Sequence, residues 1–240
     1  MIKQKKLSIL SLKTFILFIL TFFLIILYFY FSFFFEINNV SKAYITNQGD
    51  NTVSIIDLET LKTLKTLKVG VAPLGITILQ EKKLVFVGNV GTDDISVIDA
   101  VNDTLIKTIK LGTAPLSLAS NSEETKVYVT DWFQNNVLTI SADEMKVTRR
   151  LKVGVTPSGI AYNKKYKYQV ITNRDANTLE IYNEDDDLVK KIETGNHPFG
   201  VYSEGDFAYV ANVYDDSVSI INLVDWSKYE FMVGAHPYNV

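Results

Sequence analysis

The 240-residue chain has no cysteine, only two histidines, two tryptophans and five prolines. Without cysteine there are neither disulfides nor thiolate metal sites, so the compartment has to be argued from other features. Acidic residues are missing before Glu36, whereas Lys3, Lys5, Lys6 and Lys13 all precede Thr14. Charge of either sign is missing over the 22 residues 14–35, TFILFILTFFLIILYFYFSFFF. As a helix rising about 1.5 Å per residue this run would reach roughly 33 Å, enough to span a bilayer core. The pattern predicts a cytoplasmic basic segment at 1–13, a transmembrane signal anchor at 14–35, and residues 36–240 delivered outside the cytoplasmic membrane. A cleaved leader would have an apolar core of about 7–15 residues ending at a small-x-small site. Here the run ends in phenylalanines with only Ser32 small nearby, so the expected product is a single-pass inner-membrane protein with its C-terminal part in the periplasm or outside the cell.

Beyond residue 35 the chain holds 20 basic and 27 acidic residues, a formal charge of −7. That balance opposes phosphate backbones, so nucleic acid is not an expected partner. A nucleophile elbow, a zincin motif and a phosphate loop are all missing. No catalytic residue, metal or cofactor is assigned on that basis.

What is present is periodic. The five prolines, Pro73, Pro115, Pro157, Pro198 and Pro237, each follow a glycine by three residues and are spaced 42, 42, 41 and 39 apart. Three polar series keep nearly the same step. They are Asn47, Asn89, Asp131, Asn173 and Asn212; then Asn51, Asp93, Asn135, Asn177 and Asp216; then Asp57, Asp99, Ser141, Asn183 and Asn222. Five repeats of about 42 residues signal a solenoid or propeller. Each repeat reads as strands: β-branched runs such as KAYITN and NTVSIIDL, an alternating LKTLKTLKV, and a charge-free LGITIL after the proline. Four antiparallel strands in such a unit make a propeller blade, so residues 36–240 are expected to be an all-β β-propeller of four-stranded antiparallel blades. The strand after the proline is taken as innermost (a), followed by b, c and d. Proline tolerates a strand start, and glycine is expected to give the d–a crossing its conformational freedom. Two residues after the prolines stand Gly75, Ser117, Gly159, Gly200 and Asn239, small where inner strands should crowd, with Asn239 the exception.

The stretches YITNQGDNTVSIID and VGVAPLGI, echoed through residues 43–240, resemble the YVTN-repeat (YncE-like) β-propellers. That family's blade carries YVTN, then NTVSVID, then VG-x-x-P-x-G. The resemblance implies a propeller, usually of seven blades, and roles that range from secreted or surface-anchored binding proteins to relatives holding redox cofactors. Fold therefore leaves function open. Five repeats allow two readings: a ring whose C-terminal strand, PYNV, completes the first blade by pairing with KAYITN, or an incomplete larger propeller.

Strand alternation puts the b–c and d–a loops on one face and the a–b and c–d turns on the other. Trp132, Phe133, Arg174, Tyr214, His197 and His236 should gather on the first face, where aromatic area and an arginine suit contact with a protein, glycan or small ligand. The two histidines, each before a proline, could be a metal or haem pair; Ala72, Ala114 and Thr156 at the equivalent places offer no third ligand. The run Glu184–Asp187 falls at a c–d turn and reads as a solvated acidic hairpin, since calcium-loop spacing is lacking. The inner strands offer one carboxylate, Glu204, at a far strand end. The expected function is a membrane-anchored binding or scaffolding module; the alternative is a redox-accessory or cofactor-binding enzyme using the channel mouth.

Overall fold

The computed structural model describes residues 15–30 and 41–240. The chain divides into two compact units, one of Met1–Ala43 with Asp57–Lys62 and one of Tyr44–Ile56 with Thr63–Val240. In the first, a helix covers 15–30 with every side chain exposed. Its 16 residues amount to about 24 Å, short of the roughly 30 Å hydrocarbon core. No helix among the described residues is long and apolar enough to cross a membrane. The expected 14–35 span is thus met only in part, and residues 14 and 31–35 lie outside the described residues.

Among the described residues nineteen strands form five antiparallel sheets, taken as blades 1–5. Blade 1 has three strands, β1 (Lys42–Asn47), β2 (Thr52–Asp57) and β3 (Lys62–Lys68). Blade 2 runs from β4 (Pro73–Leu79) through β5 (Leu84–Asn89) and β6 (Asp94–Asp99) to β7 (Thr104–Lys110). Blade 3 comprises β8 (Pro115–Ser120), β9 (Lys126–Asp131), β10 (Asn136–Ser141) and β11 (Lys146–Lys152). Blade 4 holds β12 (Pro157–Asn163), β13 (Tyr168–Asn173), β14 (Thr178–Tyr182) and β15 (Leu188–Glu193). Blade 5 holds β16 (Pro198–Glu204), β17 (Phe207–Asn212), β18 (Ser217–Asn222) and β19 (Lys228–Met232). The prolines open all four inner strands, as the missing N–H requires.

Blades stack through their faces. Tyr44, Val53 and Ile55 meet Val85, Val87 and Ile98; Phe86, Ile95 and Val97 meet Val127, Val129, Leu138 and Ile140. Tyr128 and Val137 meet Ile160, Ile171 and Tyr182; Val170, Leu179 and Ile181 meet Ala208, Val210 and Ile221. Burying each aliphatic side chain contributes about 1.5–3 kcal/mol, so the four joints are the hydrophobic core. Inner strands neighbour one another in the order β4, β8, β12, β16. A Cβ on Gly75 would come within 2.6 Å of the Leu116 carbonyl oxygen, and one on Gly200 as close to that of Tyr238. The small series is a consequence of that approach.

Two expectations need correcting. Residues 237–240 form no strand, and among the described residues β1 pairs with β2 alone. The terminal residues lie beside β16 instead, where Gly200 N–H donates to the Tyr238 carbonyl at 3.0 Å. In each complete blade the a–b ladder breaks after the proline and resumes three residues on, at Ile76, Leu118, Ile160 and Val201. The second correction concerns glycine. In four d–a turns the left-handed residue is the one before proline, Ala72, Thr156, His197 and His236, with φ of 52–55°. A Cβ on Gly154 would lie 2.6 Å from Asn173 Cγ, and one on Gly195 2.7 Å from Asn212 Cγ. Those glycines are there for close approach to the first asparagine series, and Gly112, at φ +71°, is the one d–a glycine that uses its freedom.

The second polar series closes the turns. Asn51, Asn135, Asn177 and Asp216 each accept, through a side-chain oxygen, the N–H of Ala72, Thr156, His197 and His236, at 2.8–2.9 Å. The third series caps the c–d turns: Asp57, Asp99, Ser141, Asn183 and Asn222 each accept an N–H two or three residues on. We expect Asn177→Ala to lower unfolding free energy by about 1–2 kcal/mol, from one hydrogen bond and the left-handed backbone. Asn177→Gly should recover part of that loss. Gly154→Ala should cost about 1–3 kcal/mol by overpacking against Asn173, whereas Gly49→Ala, with nothing near its Cβ, should be close to neutral. Denaturant titration of the four variants tests the ranking; equal effects at Gly49 and Gly154 would refute it.

Candidate functional site

The b–c loops hold the site because each is clipped to the two turns beside its blade. The first loop residue donates its N–H back to the turn before the blade: Trp132 to the Ala114 carbonyl, Arg174 to Thr156 and Val213 to His197. The asparagine three residues after Trp132 or Arg174, Asn135 or Asn177, holds the following turn. Loops and turns therefore share one rigid rim, as strand alternation predicts.

On that rim five of the six expected residues come together. The Arg174 guanidinium lies 5.7 Å from the Trp132 ring centroid and 5.9 Å from that of Tyr214. It is steered by a 2.7 Å ion pair to Asp175, which Thr156 Oγ1 also bonds at 2.7 Å. His197 packs on Tyr214 with centroids 4.3 Å apart, and His236 approaches the same ring edge-on at 6.1 Å. Tyr214 is a ring partner of both imidazoles, so the geometry is an aromatic stack and not a ligand pair. His197 Nδ1 lies 2.7 Å from Asn196 Oδ1 and His236 Nδ1 lies 3.0 Å from the Val213 carbonyl oxygen. Among the described residues no group of three or more His, Cys, Asp or Glu could hold a metal ion. Phe133 is set apart, 74 % exposed. The reason is local: Asp131, buried, accepts the N–H groups of Phe133 and Gln134 and the hydroxyl of Thr113, winding the loop so that Trp132 meets Phe199, 6.0 Å away.

Sequence reasoning missed the collar. The residues directly after the prolines, Leu74, Leu116, Phe199 and Tyr238, line a cavity of about 450 Å³. Its remaining wall is the small series, Gly75, Ser117, Gly159, Gly200 and Asn239, with Ser158 and Val201. Phe199 bridges the two groups, since it touches Trp132 on one side and Tyr238 at 5.5 Å on the other. The signal was in the motifs themselves: PLG, PLS, PFG and PYN put a large apolar residue between proline and a small one.

The opposite face behaves differently from a solvated acidic hairpin. Asp185 and Asp187 are exposed, but the Asp186 side chain is 4 % exposed, paired with Arg149 Nε at 2.7 Å and bonded by Gln169 Nε2 at 2.7 Å. Glu184 accepts the Tyr162 hydroxyl at 3.0 Å and lies 3.4 Å from Lys167 Nζ. Burial, and then that bond to Glu184, hold the Tyr162 phenol above its usual range. The turn is a structural latch, because two of its four carboxylates are already committed.

The sequence profile of the YNCE-like beta-propeller family matches residues 32–210. No curated protein sequence matches the chain. Among solved structures it is similar to Kuenenia stuttgartiensis hydrazine synthase, with TM-score 0.75 and 18 % identity over 82 % of this chain and 66 % of that one. A functionally unknown protein from Desulfotomaculum acetoxidans gives 0.74 and 16 %, over 83 % and 68 %. Virginiamycin B lyase from Staphylococcus aureus, solved as a catalytically inactive H270A form with quinupristin, gives 0.73 and 15 %, over 84 % and 71 %. The chain thus spans about two thirds of the length of these structures, and at such identities the likeness is one of fold. Because the matched residues 32–210 make up more than half of its length, the chain belongs to the YNCE-like β-propeller family.

Proposed function

We propose that the protein is a binding module whose ligand seats an apolar or aromatic group in the axial cavity and lays its remainder across the Trp132–Arg174–Tyr214 rim. The observation that carries this reading is the continuity of collar and rim through Phe199. A cavity of about 450 Å³ falls within the usual range for small-molecule sites. Its lining is mostly apolar with a few polar groups, Ser117, Ser158 and Asn239, which suits a group that is enclosed and oriented rather than chemically changed. General acid–base work would need a titratable pair facing the cavity, and its lining residues include none.

Trp132 is a built-in reporter, because the only other tryptophan, Trp226, packs in the joint between blades 4 and 5. In a Trp226→Phe background, titrating quinupristin, a chitooligosaccharide and an aromatic-rich peptide should give a saturable change in Trp132 emission for at least one. Phe199→Ala and Arg174→Ala should each weaken that binding, by about 2 kcal/mol if they act as hot spots. Asp185→Asn should leave it unchanged. Saturable binding that survives both rim variants but is lost with Asp185→Asn would move the site to the opposite face.

We also propose that the uncharged run at 14–35 tethers the propeller to the cytoplasmic membrane with residues 1–13 inside and the blades outside. The support is the 22-residue charge-free length and the four lysines before it. Protease added to intact spheroplasts should remove the blades and leave a small membrane-bound stub. A protected propeller, or a mature N-terminus near Glu36, would overturn the tether.

A further inference from the structure

The inner strands run from the collar to the opposite mouth, and a second set of polar side chains converges there. Gln80, Ser122 and Lys164 each stand seven residues after a proline, Pro73, Pro115 and Pro157, in the a–b turns of blades 2, 3 and 4. All three, with Ser120, Asn121 and Glu124, line a pocket of about 180 Å³. These are the blades packed against a described neighbour on both sides.

The turns are tied together at this place. Glu124 Oε2 accepts the N–H groups of Glu81 and Lys82, at 2.9 and 3.1 Å, which clips the turn of blade 3 to that of blade 2. Asn121 is buried and serves its own turn, accepting the N–H groups of Thr125 and Lys126 at 2.9 and 2.8 Å. The neighbouring lysines are committed as well: Lys82 to Asp143, Lys165 to Asp206, and Lys167 to Glu123 and Glu184. Lys164 differs from them. Among the described residues its ammonium has no ion pair, and the side chains of Gln80, Ser120 and Ser122 make no hydrogen bond.

An ammonium, two hydroxyls and a primary amide, gathered by three separate blades, are a donor set for an oxyanion. A carboxylate suits the set better than a phosphate, because the Glu124 carboxylate shares the lining and one lysine cannot balance a dianion beside it. Glu124 and the Gln80 carbonyl can in turn accept the protons of ligand hydroxyls. The volume holds about six waters at roughly 30 Å³ each, so the ligand is small. We propose that this mouth binds a small hydroxylated carboxylate, with its carboxylate on Lys164 and the serines and its hydroxyls on Gln80 and Glu124. The site is separate from the rim and the collar.

Calorimetric titration of the full-length protein in detergent, at constant ionic strength, with glycerate, propionate and inorganic phosphate tests the assignment. Glycerate should saturate one site, whereas propionate, which has the charge without the hydroxyls, and phosphate should bind more weakly. Lys164→Met should weaken glycerate binding by about tenfold or more, the equivalent of one charge-assisted hydrogen bond. Gln80→Ala and Ser122→Ala should each weaken it by a smaller factor. Lys165→Met, at the adjacent lysine already held by Asp206, and Phe199→Ala on the collar should leave it unchanged. Gln80, Ser122 and Lys164 are exposed, and unaltered melting temperatures would establish that their variants fold. A lack of saturable glycerate binding, or binding that survives Lys164→Met, would overturn the proposal. So would propionate or phosphate binding as tightly as glycerate, or equal losses with Lys164→Met and Lys165→Met, which would show a diffuse effect of charge. Loss of glycerate binding in Phe199→Ala would place the ligand at the other mouth and overturn it too.

Discussion

The array depends on one hydrogen bond repeated from blade to blade: a side-chain oxygen at the start of strand c accepting the N–H of the residue before proline. Asn51, Asn135, Asn177 and Asp216 make it, and each is itself held at φ of 50–58°. Asparagine and aspartate tolerate that conformation better than other non-glycine residues. The bond fixes where one blade ends and the next inner strand begins. Without it the left-handed residue before proline would leave its N–H unpaired, and the turn would have no reason to hold its angle. The glycine three residues before proline completes the arrangement by letting the turn settle on the asparagine that ends strand b.

Blade 3 shows that the lock has another solution. Its preceding turn uses Gly112 at φ +71°, and Asp131 replaces the strand-end asparagine found at Asn89, Asn173 and Asn212. The carboxylate gathers Thr113 from the turn and two loop N–H groups. The change is small in sequence but it sets the direction of the b–c loop, and the loop carries Trp132. Scaffold chemistry and the most prominent aromatic of the rim are linked at that point.

Much of the fold was legible because its constraints are local and periodic. A proline without a donor must open a strand, and an asparagine at a left-handed turn must recur wherever the turn recurs. The three polar series could be aligned by counting alone. Gathering of Arg174 with Trp132 and Tyr214 followed from strand alternation, which fixes the face each loop occupies. What escaped was decided across the chain. The burial of Asp186 depends on Arg149 from blade 3, and no pattern within NEDDDL reveals it. The terminal residues lie beside β16 through the bond from Gly200 N–H to the Tyr238 carbonyl, and the register shift after each proline is likewise a property of strand pairing that the spacing does not display. The length of the first helix was read from missing charge, a property of hydropathy rather than of helix ends.

The rim and the lock divide the labour between residues that recur and residues that do not. His197 and His236 sit in equivalent turns and have equivalent backbone bonds, yet the first packs closely on Tyr214 at a 37° tilt and the second meets it edge-on at 68°. Their backbones answer to the repeat, and their side chains answer to the neighbouring loop. The same holds for the collar, where the position after proline is fixed by the turn while its occupant ranges from Ser158 to Tyr238. A scaffold that fixes main-chain position so tightly can vary the collar side chains at little expense to stability, because none of them enters a joint between blades. Ligand selectivity would therefore reside in five residues that follow prolines and in the loops clipped above them.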